Sequence, residues 1–165
     1  MKKLIFVRHG RAEEESPYFT DFERSLTTKG KSVTEQMAKI LRDKEKRPDL
    51  FITSPAFRAC ETAMIFARVY DLDPEEVLLR SMLYNKATFN SFVAMLEEID
   101  NSIKSVILFG HNPSFTEIPD KLSKEGCDFV PKSGIICLSF RKDAWKGLAH
   151  ERGKIEFFLK PEKSA

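Results

Sequence analysis

Little in this sequence binds metal, crosses a membrane or cross-links. The three cysteines, Cys60, Cys127 and Cys137, contain no Cys-x-x-Cys pair, which argues against a disulfide framework and a structural zinc and fits a reducing cytoplasm. Lys2 and Lys3 resemble the start of a signal peptide, but the apolar run behind them is only Leu4 to Val7, and no other stretch approaches membrane-spanning length. Charge of one sign is lacking too: 27 Lys and Arg against 25 Asp and Glu leave +2, short of the basic excess that phosphate-backbone binding shows. There is no GxxxxGK[ST], GxGxxG or HExxH, and no cysteine has an arginine six positions on. The expectation is a soluble, cytoplasmic protein with no metal, no cofactor, and neither nucleic acid nor membrane as partner. An RNA-associated role would rest on scattered lysines alone.

What is present is enough for one core. Of 165 residues 42% are hydrophobic and 32% charged, and roughly 100–200 residues make one domain; residues 1–160 are expected to form it, with 161–165 a frayed tail. Leu4–Val7, Leu50–Ile52, Val77–Leu79 and Val106–Phe109 are continuously apolar, as inner strands covered on both faces must be. Between them run helical periods. Thr27-Thr28 caps a helix with the stripe Val33, Met37, Ile40 and Leu41. Ser54-Pro55 opens another, lined by Cys60, Ala63, Met64, Ala67 and Tyr70. Phe89, Phe92, Val93 and Leu96 mark a third, and Asn112-Pro113 starts a fourth that Pro119 shortens or bends. Ile135–Phe140 and Ile155–Leu159 read as later strands, at least one antiparallel at an edge. The cysteines are expected in the core, Trp145 as a packing anchor and His150 in a solvated loop. The order β-α-β-α-β-α-β-α predicts an α/β fold, a three-layer α/β/α sandwich with a mostly parallel central sheet and an antiparallel edge.

The informative residues share one position in this pattern. Arg8-His9-Gly10 follows the first strand, Ser54 to Arg58 the second and Gly110 to Pro113 the fourth. Carboxyl ends of parallel strands lie along one edge, where ligands bind, so two histidines and two arginines are predicted to meet, beside helix N-termini that favour an anion. The set suits a phosphoryl group. Guanidinium forks match phosphate oxygens, so Arg8 and Arg58 form a clamp. One imidazole attacks phosphorus while the other, protonated, stabilises the outer oxygens. Gly10 permits a close backbone approach.

At these residues the chain resembles the histidine phosphatase superfamily, whose fold is called phosphoglycerate-mutase-like. Arg8-His9-Gly10 is similar to its RHG motif, and the likeness extends to Arg24-x-Leu26-Thr27-x-x-Gly30, Ser54-Pro55-x-x-Arg58-x-x-x-Thr62 and Gly110-His111-Asn112-Pro113. Among its branches the chain looks most like the SixA-type phosphohistidine phosphatases. The resemblance implies that His9 is the phosphorylated nucleophile, that Arg8 and Arg58 bind phosphoryl oxygens, and that His111 completes the pocket; with the guanidinium clamp in the place of Mg²⁺, a metal-independent phosphatase is expected.

One departure bears on the substrate. Many members acting on alcohol phosphates carry an acidic group after the third strand, yet Arg80 to Phe89 contains no Asp or Glu. An alkoxide leaves poorly without a proton, whereas imidazole, with a conjugate acid near ~6.5, needs less help. A phosphohistidine-bearing protein is therefore the favoured substrate, unless Glu13, Glu14 or Glu15 substitutes. A small-molecule phosphomonoester phosphatase and a phosphate-binding module with little turnover are the alternatives. Arg24 is expected to neutralise Glu13–Glu15 or pair with Asp21. A chain this short also leaves little material for a lid, which suits a protein side chain.

Overall fold

The computed structural model describes residues 1–85 and 87–162. Its main elements are β1 (Lys2–Arg8), α1 (Thr28–Lys44), β2 (Leu50–Thr53), α2 (Phe57–Val69), β3 (Leu78–Leu79), α3 (Phe89–Glu97), β4 (Ser105–Gly110), α4 (Ser114–Leu122), β5 (Ile135–Phe140) and β6 (Lys154–Leu159). They build one six-stranded sheet in the order β3-β2-β4-β1-β5-β6. β1, β2, β3 and β4 run parallel. β5 lies antiparallel to β1, and β6 antiparallel to β5.

The apolar strands are continuous because the sheet is covered twice. Alternate residues of a strand face opposite ways. Leu4 and Phe6 of β1 therefore join Val106 and Leu108 of β4 in a core closed by Phe92 and Leu96 of α3 and Phe115 and Ile118 of α4. Ile5, Val7, Ile107 and Phe109 face the other layer, against Met37 and Leu41 of α1 and Ala63 and Phe66 of α2. The fold is thus the α/β sandwich expected from the element order, with α1 and α2 on one face and α3 and α4 on the other.

Several local expectations are corrected. Val77–Leu79 is no inner strand: β3 is a two-residue edge strand with Leu79 48% exposed. Ile40 leaves the α1 stripe for solvent. Thr27 does cap α1, its hydroxyl accepting from Gly30 N–H at 2.9 Å. Ser54, in contrast, lies before the α2 cap, which is Ala56; its hydroxyl accepts from Ala56 N–H at 3.2 Å. Pro113, preceded by a cis peptide bond, is itself the cap of α4. Asn112 braces this start by donating to Val130 O at 2.9 Å and accepting from Thr116 Oγ1 at 3.0 Å. Only Cys137 is a core cysteine, because Cys60 and Cys127 sit half-buried at the margins.

Trp145 is fully buried as an anchor, its Nε1 donating to Ile103 O at 2.9 Å. Lys2 is itself buried. Its ammonium donates to Asn101 O and Ile103 O at 2.6 and 2.8 Å and lies 5.1 Å from the Trp145 ring centroid. Those carbonyls and the ring face supply what desolvation removes. Of the expected tail, residues 163–165 lie outside the described residues, whereas Pro161 and Glu162 line a groove beside Arg8. Among the described residues no helix is long and apolar enough to cross a membrane.

One glycine ties core to site. A Cβ on Gly110 would fall 2.5 Å from the fully buried Phe115 ring, which itself packs edge-on against Phe6. Overpacking of this kind costs roughly 1–3 kcal/mol. Gly110→Ala is therefore expected to lower Tm by about 3–10 °C, and adding Phe115→Leu should recover part of the loss; thermal unfolding of both variants checks this.

Candidate active site

The parallel register assembles the site. Arg8 pairs with Gly110 and Thr53 with Phe109, so the next residues, His9, Ser54 and His111, emerge side by side at the carboxyl edge. His9 N–H donates to Gly110 O at 3.0 Å, and Ser54 N–H to Phe109 O at 2.9 Å. The His9 and His111 rings lie 5.1 Å apart, tilted 52°. Sequence positions 9 and 111 are thus brought face to face.

The loop behind His9 is held from three sides. Ser133 N–H bridges Arg8 O and His9 O at 3.1 and 3.2 Å. Gly10 N–H donates to Thr62 Oγ1 at 3.1 Å, and that hydroxyl donates in turn to Arg58 O at 2.7 Å. The Gly10 backbone does come close to its surroundings, since a Cβ there would sit 2.5 Å from Thr34 Oγ1. Thr62 thereby links the helix carrying Arg58 to the loop carrying His9.

Each imidazole has a defined role for one nitrogen. His9 Nδ1 lies 2.7 Å from Gly10 O. A carbonyl only accepts, so Nδ1 carries the proton and Nε2 the lone pair. His111 Nε2 lies 2.7 Å from the Ser54 hydroxyl. That hydroxyl already accepts from Ala56 N–H and can donate to Nε2, which leaves the proton of a neutral ring on Nδ1. Burial pushes His9 down to about 3 against its bond to Gly10, with His111, Arg58 and Arg8 adding to the effect. Burial and Arg58, opposed by Asp21, lower His111 to about 4. Both rings are therefore neutral at pH 7 in the free site. His111 can still offer one N–H, and a dianion between the rings would favour protonation.

The arginines are sunk deeper than a surface clamp. Arg58 is 7% exposed and donates through Nη1 to Asp21 O at 2.8 Å and through Nη2 to Asp21 Oδ2 at 3.1 Å. Arg8 is half-buried, its guanidinium 5.4 Å from the Phe129 ring centroid and its Nη1 donating to Val130 O at 3.2 Å. Arg8 Nε, Arg58 Nε and His111 Nδ1 are buried with no hydrogen-bond partner among the described residues. Unpaired buried donors are costly, and a multivalent oxyanion is the chemistry that would satisfy them.

Sequence reasoning missed Asp21 and Tyr84 as part of this cluster. Asp21 accepts from Arg58, from Arg24 Nη1 at 2.8 Å and from Tyr84 OH at 2.9 Å. Burial pulls its carboxyl up, but the bonds from Arg24, Tyr84 and Arg58 win and hold it at about 2. The Tyr84 ring meets His111 edge-on at 5.7 Å. Tyr84 stands in the very segment that holds no acid, so its phenol was the available signal. Arg24 takes the expected bond to Asp21 and joins the site through it. Glu13, Glu14 and Glu15 are exposed, with Glu13 accepting from Ser25 N–H at 3.0 Å. His150 is exposed in a short turn, apart from this cluster. A shallow groove of about 820 Å³ leads away from Arg8 along Phe129, Pro131, Lys132 and Lys160.

Comparison with known proteins agrees with the fold. Residues 4–80 match the model of the histidine phosphatase superfamily (branch 1). An uncharacterised protein of Picosynechococcus sp. is 30% identical over 164 residues, covering 97% of both chains. The solved protein histidine phosphatase SixA, complexed with tungstate, superposes with a TM-score of 0.82 at 21% identity, covering 96% of this chain and 97% of that one. A mycobacterial glucosyl-3-phosphoglycerate phosphatase gives 0.67 at 14% identity, with all of both chains covered. At these identities the two structures show a shared fold.

The buried neutral histidines also set a pH dependence. Unfolded histidines titrate near ~6.5, while His9 and His111 stay unprotonated to about 3 and about 4. Between those values the unfolded chain binds more protons, so stability falls as pH falls through 6.5 and is fully present above it. At pH 5 the loss is about 2 kcal/mol per histidine. Urea midpoints at pH 7.5 and pH 5 should differ by less in the His9→Asn, His111→Asn double variant than in the wild type.

Proposed function

The chain belongs to the histidine phosphatase superfamily, which supports phosphatase activity, and we propose that it hydrolyses phosphohistidine on protein substrates through a phosphorylated His9. The observation that carries this reading is the facing pair of histidines, one with a free Nε2 lone pair, close to the buried Arg58 and the half-buried Arg8.

In this reading His9 Nε2 attacks phosphorus in line, while Arg8, Arg58 and His111 donate to the three outer oxygens as charge redistributes. His9 starts neutral, so no base is needed to free its lone pair. Water then hydrolyses the P–N bond of phospho-His9 and returns the imidazole. The guanidinium clamp does the neutralising that Mg²⁺ does elsewhere.

The substrate preference follows from proton supply. Among the described residues, Asp21 is the carboxyl bonded to Arg58 at the rim, and at about 2 it is ionised at neutral pH. It cannot protonate an alkoxide efficiently. An imidazole leaving group tolerates that lack. The open groove beside Arg8, with Phe129 64% exposed, further favours a phosphoryl group presented by a protein surface.

Wild-type enzyme should hydrolyse a phosphohistidine-bearing protein faster than a panel of sugar and nucleotide phosphates, and should do so in EDTA. His9→Ala is expected to abolish turnover and covalent phosphorylation, and His111→Ala to lower kcat by about 10²–10³. Full activity of His9→Ala, or its loss on chelation in wild type, would refute the corresponding part.

A further inference from the structure

An anionic side chain beside a phosphoryl site works against binding, so Asp21 calls for an explanation beyond its bond to Arg58. Its side chain is 41% exposed where that of Arg58 is 8% exposed, which puts the carboxylate at the rim. A carboxylate offers about four acceptor positions. Arg24 uses one on Oδ1, and Arg58 and Tyr84 use two on Oδ2, leaving one on Oδ1. The Tyr84 phenol that bonds Asp21 belongs to an aromatic cluster, its ring meeting Phe22 at 5.2 Å and His111 at 5.7 Å, both edge-on. A free carboxylate position beside such a cluster is suited to a planar, protonated nitrogen heterocycle.

We propose that Asp21 and Tyr84 form the leaving-group site, where Asp21 accepts a hydrogen bond from the ring N–H of the substrate's phosphorylated imidazole. This rests on phosphohistidine being the substrate. The substrate ring carries the phosphoryl group on one nitrogen and a proton on the other. As His9 Nε2 forms its bond to phosphorus, the old P–N bond breaks and its electron pair returns to the ring nitrogen. The cationic ring departs as neutral imidazole with its proton still facing Asp21, and no further reactant is required.

The charges are consistent with this order of events. Once the phosphoryl dianion engages Arg58, Asp21 is left to Arg24, Tyr84 and the cationic ring. An oxyanion leaving group at the same place would be repelled. Asp21 is then a specificity-determining residue, and Tyr84 positions it. If Asp21 served only to hold Arg58, its loss would weaken action on every phosphate ester alike.

The test is the ratio of kcat/KM for a phosphohistidine-bearing peptide to kcat/KM for p-nitrophenyl phosphate. Asp21→Asn should cut this ratio at least tenfold, Tyr84→Phe, which keeps the ring, by a smaller factor, and Asp21→Glu should restore part of it. Equal loss on both substrates in Asp21→Asn, or an unchanged ratio in Tyr84→Phe should Asp21→Asn fail to fold, overturns the inference and leaves the substrate reading intact. Wild type that cleaves the aryl phosphate but not phosphohistidine overturns that reading and the inference with it.

Discussion

The parallel pairing of β1 with β4 is the constraint on which the site depends. Arg8 opposite Gly110 determines that His9 and His111 leave the sheet one residue later and meet. A slip of one residue would turn each strand's buried faces over, putting Leu4 and Phe6 where Ile5 and Val7 now pack. The core therefore enforces the register, and the register sets the distance between the rings. Gly110 adds a local condition, since its bare Cα lets Phe115 close the core directly beneath the turn into His111.

Placing this much positive charge at a buried edge is expensive, and the molecule offsets it in two ways. Both histidines are kept neutral, so only the guanidinium groups bring charge inward. Arg58, the deeper of the two, is matched by Asp21, which also gathers Arg24 and Tyr84. Breaking a buried ion pair by deleting one member leaves the other uncompensated. Asp21 thus links the segment before α1 to α2 and to the turn after β3, elements that the sheet alone would leave unconnected.

Much of this was legible in the sequence where a signal depends on local periodicity or strand-end position. Unbroken apolar runs identified β1, β2 and β4, and the placement of Arg8, His9, Arg58 and His111 after strands foretold their meeting. What escaped depends on geometry across the fold. Val77–Leu79 is as apolar as an inner strand, yet only the sheet order shows that it has one neighbour. Nothing local marks Lys2 as buried, because Asn101, Ile103 and Trp145, which surround its ammonium, lie about a hundred residues or more away in the chain. Asp21 reads as a partner for Arg24 three residues away. Its second and third partners, Arg58 and Tyr84, lie 37 and 63 residues on, and no spacing rule links them.

The same separation explains how a site can lack an acid in its usual segment and still hold a carboxylate. An acid that donates a proton must be kept near neutral pH, by burial away from cations. Asp21 has the opposite surroundings, with two arginines and a phenol all donating to it. Such an environment makes a permanent acceptor. A leaving group that needs a proton delivered gains nothing from it, whereas one that arrives carrying its own proton gains a hydrogen-bond partner. The electrostatics of the rim and those of the floor then serve one end: guanidinium groups for the phosphoryl oxygens, and an ionised carboxylate for a cationic ring.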